Sequence, residues 1–399
     1  MRISTLNSYS SSIETLLDRQ TKLSDSQGQM TTGKRVNSAS DDPAAAARAE
    51  RALASERHTI ATQRAVDASD NAMTLTEGAL GDAVTLLQQS REALVAAGNG
   101  TYSDSERLST ANQLTDLRNQ LFAIANRTDG SGTYLFGGQG STQPPFADQP
   151  GGVVFNGTPG QVQVASGEAL PLTMNGDATW MHSRTGNGVF ETSVVTSTGT
   201  AWIDTGQVTD PSAITGSTYS LQFAVNPAGA TTYSILKDGV ATPATNVAFK
   251  AGQAIQIDGM SVTLTGAPAN GDAFEMKPST SSLSVFDALD KAIADLKIPG
   301  RAGNDIAQTN SDNLNNVTSV LNQVIGARSD IGATMTRIDS VTERLGALKL
   351  SSQSERSSAE DLDMTQAISD FANQQTGYSA ALQAYSMVQR LSLFNYINS

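Results

Sequence analysis

Apolar residues recur three and four apart at both ends of the chain and two apart in its middle. From the N-terminus, Leu6, Tyr9, Ile13, Leu16, Gln20, Leu23, Gln27 and Met30 keep a heptad spacing, which lines side chains along one stripe of a coiled-coil helix. Near the other end, Met364, Ile368, Phe371, Gln375, Tyr378, Leu382, Tyr385 and Gln389 do the same. Each seam has two glutamines where an apolar side chain packs better. Polar seam positions cost stability but fix register, because only one alignment pairs them. Ten of the 12 prolines fall between Pro144 and Pro278, leaving 44–143 and 300–399 without an obligatory helix breaker.

Further helices are predicted inside the arms. Val66, Met73, Leu80, Leu87 and Leu94 recur at seven, with Ala83 and Ser90 between, until Gly98-Asn99-Gly100 stops the run. Ser103-Asp104-Ser105-Glu106 opens the next helix as a capping box. Leu114, Leu117, Leu121 and Ile124 form its stripe, and Asp129-Gly130-Ser131-Gly132 stops it. Leu314, Val317, Leu321, Val324, Ile331, Met335, Ile338 and Leu345 predict one long helix, its seam interrupted by Arg328 and Thr342.

Between 131 and 282 the period changes. Tyr219, Leu221, Phe223 and Val225 alternate with Ser220, Gln222 and Ala224, as in a strand with one buried face. Asp238-Gly239 and Asp258-Gly259 each follow an apolar-rich run, the strongest short hairpin pattern. Residues 191–282 therefore predict a separate β domain, and 131–190 read as β with less regularity. The fold class expected is multidomain α+β: a long helical coiled-coil or bundle core from the N- and C-terminal segments, with a central inserted β-rich domain.

Charge and candidate chemistry narrow the function. Lys+Arg 26 against Asp+Glu 39 gives −13, which argues against general nucleic-acid binding and against an anionic membrane surface. Cysteine is absent, and no run of 18 apolar residues offers a membrane span. Met1 to Leu6 lacks the apolar stretch of a secretory signal, so the chain is expected to be cytoplasmic or exported by another route. Gly28 to Lys34 fits a phosphate-loop pattern, but Arg35 stands where a magnesium-binding hydroxyl belongs and a heptad helix precedes it. The two histidines, His58 and His182, lie in no nucleophile motif. Asp41-Asp42 reads as a helix cap before Pro43 rather than a catalytic pair. No catalytic, cofactor-binding or metal residue is expected.

The stretch from Met30 to Pro43, with Gly33, Asn37, Ser40, Asp41, Asp42 and Pro43, resembles the N-terminal signature of the flagellin superfamily. Gly132-Thr133-Tyr134-Leu135-Phe136-Gly137-Gly138, followed by Pro145-Phe146, is similar to the hairpin after the second long helix of that family. Tyr385 to Phe394 resembles its C-terminus. The likeness covers 1–190 and 283–399; 191–282 depart from it, since compact members lack such an insert.

The resemblance implies three parts: a terminal coiled-coil assembly domain of 1–45 with 360–399, a helical rod domain of 46–190 with 283–359, and the outer insert, 191–282. It favours the hook–filament junction branch over filament flagellin, which is the nearest alternative. That branch implies a homo-oligomeric ring between the first hook-associated protein and flagellin. It also implies a flagellar export chaperone at the C-terminal region and type III export to the flagellum without a cleavable signal. The assembly interface expected is Leu6, Tyr9, Ile13, Leu16, Leu23, Met30, Ile368, Phe371, Tyr378, Leu382 and Tyr385, packing helix-in-groove against neighbours. An enzyme carried in the insert is a remoter alternative, as 191–282 hold no His or Cys and only scattered acidic residues.

Overall fold

A computed structural model describes residues 5–139, 143–160 and 169–397. Four long helices dominate it: α1 (Thr5–Thr32), α2 (Pro43–Ala97), α6 (Gly303–Glu360) and α7 (Met364–Ile397). The chain divides into two compact units, one of residues up to Arg64 with those from Val341 onward, the other spanning Ala65–Ser340.

Helix α2 buries one unbroken stripe along its length. Val66, Met73, Leu80, Ala83, Leu87, Ser90 and Leu94 are all buried, as their sevenfold spacing predicts. The stripe also runs N-terminally through Ala45, Ala49, Ala52, Glu56, Thr59 and Thr62, whose small or polar side chains conceal it from an apolar count. On α6 the buried stripe passes through Val317, Leu321, Val324, Ala327, Ile331, Ile338, Val341 and Leu345. Arg328 and Thr342 do not interrupt it, because both are exposed and the seam steps one residue earlier, to Ala327 and Val341. Arg328 instead reaches Glu77 at 2.6 Å.

In the first unit, α1 packs along α7. The start of α2 meets the end of α6 through Glu56, which accepts from Gln353 Nε2 at 2.7 Å and Arg356 Nη1 at 2.9 Å. Both groups on Glu56 come from one turn of α6, so a mostly buried carboxylate is held by two donors.

In the second unit, α3 (Asp104–Ala125) opens with the predicted capping box: Glu106 N–H donates to Ser103 Oγ, and Ser103 N–H to Glu106 Oε2 at 2.6 Å. It packs on α5 (Val285–Leu296), whose one-sided apolar face is fully buried. The β character expected over 131–190 is realised only in part. One hairpin, β1 (Phe146–Gln149) with β2 (Gly152–Phe155), and a short α4 (Gly176–Trp180) occur among the described residues there, while 161–168 lie outside them. Aromatic packing organises this stretch instead of a ladder. Trp180 stacks on Phe286 at 6.0 Å and meets Phe136 edge-on at 5.3 Å.

The insert comprises β3 (Phe190–Thr196), β4 (Trp202–Ile203), β5 (Gln207–Val208), β6 (Tyr219–Val225), β7 (Thr231–Lys237), β8 (Val240–Ala241), β9 (Val247–Ala248), β10 (Ala254–Ile257), β11 (Met260–Thr265) and β12 (Ala273–Pro278). One antiparallel sheet runs β3-β12-β6-β7-β8, with β9 also on β7; the other runs β10-β11-β4, with β5 also on β11. Tyr219, Leu221 and Phe223 point into a core shared with Phe190, Ile203, Val262, Leu264, Phe274 and Met276. Both Asp-Gly pairs turn as predicted, with positive φ at Asp238 (50°), Gly239 (80°), Asp258 (41°) and Gly259 (79°), as a two-residue type I′ turn requires.

Candidate assembly surface

Helices α1 and α7 meet along a narrow seam. On α1 the half-covered residues are Ile13, Leu16, Leu23, Ser26, Gln29 and Met30. On α7 they are Ala367, Phe371, Gln374, Tyr378, Ala381 and Tyr385, a regular alternation of four and three, with Gly377 beside Tyr378. The seam glutamines expected at Gln20, Gln27 and Gln375 are exposed. Ser26 and Gln374 supply the polar contact in their place, the Ser26 hydroxyl donating to Gln374 Oε1 at 2.8 Å. A Cβ on Gly377 would come within 2.7 Å of Arg19 Nη1, so a larger residue there would displace the arginine head from α7. Sequence reasoning missed Ala367, Gln374 and Ala381 because it followed large apolar residues. The signal was the same heptad written one position earlier in small ones.

The predicted interface residues therefore separate into two groups. Ile13, Leu16, Leu23 and Met30 of α1, with Phe371, Tyr378 and Tyr385 of α7, are partly covered within the chain. Ile368 and Leu382 remain 58% and 44% exposed, with Met364 beside them. These three sit roughly 75° round α7 from the seam, at 3.6 residues per turn. Leu6 and Tyr9 belong to α1, but their side chains lie outside the described residues, as does that of Gln389 on α7.

The signature segment forms a clasp beside this pair. Gly33, at φ 71°, ends α1 in the left-handed region, its N–H donating to Gln29 O at 2.8 Å. Arg35 N–H then donates to Glu360 O at 2.7 Å, and Leu362 N–H to Gly33 O at 3.0 Å, so the turn after α1 pairs with the break between α6 and α7. Arg35 Nη2 donates to Ala359 O at 2.8 Å, and Lys34 Nζ lies 3.1 Å from Glu360. Asn37 donates through Nδ2 to Lys34 O, and Ser40 shares a hydroxyl hydrogen bond with Ser38.

The two aspartates are local caps. Asp41 accepts the Asn37 and Ser38 N–H groups at 3.0 and 2.9 Å, and these bonds, Ser38's first, lower its pKa. Asp42 Oδ1 accepts from Ala45 and Ala44 N–H at 2.9 and 3.1 Å, with Pro43 the first residue of α2. Its pKa is lowered chiefly by the Ala45 bond, with Arg35 3.3 Å away assisting. Gly28 to Thr32 lie within α1, so the phosphate-loop pattern begins in a helix and follows no strand.

His58 is exposed, and His182 bonds Asp177 Oδ2 at 3.0 Å and Ser281 O at 3.1 Å. Among the described residues, no cluster of three or more His, Cys, Asp or Glu could hold a metal ion. No described helix is long and apolar enough to cross a membrane.

Comparison with known proteins agrees with this arrangement. The family model for the bacterial flagellin N-terminal helical region matches residues 3–141, and that for the C-terminal helical region matches 314–397. The chain thus belongs to the flagellin superfamily and is a structural component of the bacterial flagellum.

Within that class its full-length likeness is to the flagellar hook-associated proteins 3. Those of Escherichia coli and Salmonella typhimurium are each 26% identical, the alignment taking in 99% of this chain and 99% of theirs. Among solved structures, hook-associated protein 3 of Legionella pneumophila matches at 28% identity and TM-score 0.72, covering 76% of this chain and 97% of its own. FlgL of Xanthomonas campestris matches at 28% and 0.68, covering 77% and 99%. Both solved relatives are thus matched nearly whole, while about a quarter of this chain lies outside each alignment. A further family model, the D2-like domain of flagellar hook-associated protein 1, matches residues 193–278. These relatives are structural flagellar proteins, not enzymes.

Proposed function

We propose that this chain is the adaptor between hook and filament, assembling as a homo-oligomeric ring that the first hook-associated protein contacts on one side and flagellin on the other. The observation that carries the reading is that Met364, Ile368 and Leu382 stand exposed on one side of α7. Met364 and Ile368 lie one turn apart and Leu382 farther along the same side of α7, past exposed Gln375, and this side is not the one packed on α1. Large apolar residues left exposed along one side of a helix point to a partner surface, and helix-in-groove packing is the mode that covers them. In this reading the terminal helices form the assembly domain, the inner helices a rod, and the β insert an outward domain with its own core. Export through the flagellar type III apparatus, with a chaperone on the C-terminal region, completes the proposal.

The test is the double variant Ile368→Asp with Leu382→Asp, against Asn373→Asp on the opposite, exposed face of α7. Secreted protein is purified and supplied to isolated hooks, followed by flagellin. The double variant should fold normally yet fail to nucleate filaments, while the control nucleates them. Normal capping by the double variant would sink the proposal. Unlimited self-polymerisation of the wild-type chain would instead favour a filament flagellin.

A further inference from the structure

A cavity of about 690 Å³ lies between β3 of the insert and helices α5 and α6, with Glu191, Lys291, Gln308 and Asp312 in its walls. One side chain joins those walls. Gln308 of α6 is only 6% exposed, and its Oε1 accepts the backbone N–H of buried Ile203 on β4 at 2.9 Å. Its Nε2 donates to Asp312 Oδ1, one turn along α6, at 3.0 Å. An amide can serve both partners in only one orientation, oxygen toward the insert and nitrogen toward the helix carboxyl. Asp312 therefore fixes the orientation in which Gln308 holds the insert.

The surroundings of Asp312 make that hold sensitive to charge. From α5, Lys291 and Asp295 face it; from β3, Glu191 does; from its own helix, Gln308. Two of these neighbours repel an ionised carboxyl. Opening the insert would remove Glu191 and return water to the site. We propose that Gln308 is a latch securing the β insert to α6, and that the protonation state of Asp312 sets how firmly it holds.

The sign follows from the environment. Burial pushes the Asp312 carboxyl up to about 6; Lys291 and the Gln308 bond oppose that rise, and Asp295 and Glu191 add to it. In an opened state, with Glu191 gone and water returned, the group moves back toward the ordinary value of 3.8. Protonation thus favours the latched state. The hold is fully present below the ordinary value and lost as pH rises through about 6, by at most tenfold per pH unit.

Hydrogen exchange by mass spectrometry on peptides spanning 201–206 of the full chain tests this, corrected for intrinsic exchange, between about pH 5 and about pH 7.5. Protection at Ile203 should fall roughly tenfold or more across that range. Asp312→Asn should keep protection constant with pH. Lys291→Met should move the midpoint up and Glu191→Gln move it down, shifts that a merely structural contact would not produce. Gln308→Ala should lose the protection at both pH values. Wild-type protection that ignores pH, a midpoint unmoved by both charge variants, or protection surviving Gln308→Ala would each overturn the latch.

Discussion

Ser26 and Gln374, 348 positions apart in the chain, share a 2.8 Å hydrogen bond that joins α1 to α7. Neither side chain reads as a seam residue from its chemistry, yet both sit half-covered in line with Leu23, Met30, Phe371 and Tyr378. A single polar pair in an apolar seam fixes register more than it adds stability. A double-mutant cycle with Ser26→Ala and Gln374→Ala should give a coupling of about 0.5–1.5 kcal/mol by denaturant unfolding. Gln374→Asp should be worse than Gln374→Ala, since a carboxylate there is half-desolvated with one hydroxyl donor. Zero coupling would mean the bond does not order the pair.

Excising the insert should leave the helices folded. Phe190 pairs with Pro278 across β3 and β12, and Ser279 N–H donates to Val189 O at 2.9 Å, so the two ends of the insert already touch. Its core is drawn from its own strands. A chain with 190–278 removed and Val189 joined to Ser279 through a short glycine linker should keep its helical circular dichroism and unfold cooperatively. Loss of helix on excision would show that α5 and α6 need the insert to fold.

The large-scale order of this fold was legible because it rests on repeated large side chains. Val66 to Leu94 at sevens, Tyr219 to Val225 at twos and the paired Asp-Gly turns each declare one element. Illegible were contacts made by small or polar residues, whose periodicity carries no hydrophobic contrast: Ala45 to Thr62 on α2, and Ala367, Gln374 and Ala381 on α7. The stretch before the insert also misled, because Phe136, Phe146, Trp180 and Phe286 cluster from four separate segments. No local period encodes such a cluster. The candidate surface fell between these cases. Its helices were readable, but which side of α7 faces α1 depended on alanines.

Arg118 gives a prediction that no sequence pattern offered. Its buried guanidinium forks between Asp148 on β1 and Asp290 on α5, at 2.9 Å from Nη2 to Asp148 Oδ1 and 3.1 Å from Nε to Asp290 Oδ1. It also lies 5.7 Å from the ring centres of Phe122 and Phe286. The two carboxylates are 46% and 41% exposed and can regain water when the arginine is removed. Arg118→Ala should therefore cost about 2–3 kcal/mol, less than the ~3–5 of breaking a fully buried pair. Asp148→Asn and Asp290→Asn should each cost about 1 kcal/mol or less. Chemical denaturation of the three variants decides it. A cost under about 0.5 kcal/mol for Arg118→Ala would show that packing alone holds these elements.

Asp272, just before β12, should be the most sensitive carboxylate of the insert. It is fully buried and accepts from Thr198 N–H at 2.7 Å, Thr198 Oγ at 3.0 Å, Gly199 N–H at 3.1 Å and Ala269 N–H at 2.7 Å. Burial pushes its pKa up, but the N–H donors of Thr198, Ala269 and Gly199, with the Thr198 hydroxyl, together hold it below the ordinary value. A depressed folded value means the carboxylate stabilises the insert above the ordinary value of 3.8 and loses that contribution as pH falls through the lower one. Asp272→Asn offers one acceptor oxygen and turns an amide NH₂ against N–H donors, so it should cost about 2–4 kcal/mol at neutral pH. Unfolding followed from neutral pH into the acid range should narrow the gap between wild type and variant once pH falls below 3.8, because protonated Asp272 also presents a donor to that nest. A gap that stays constant down to acid would show that geometry, and not the charge, makes this site.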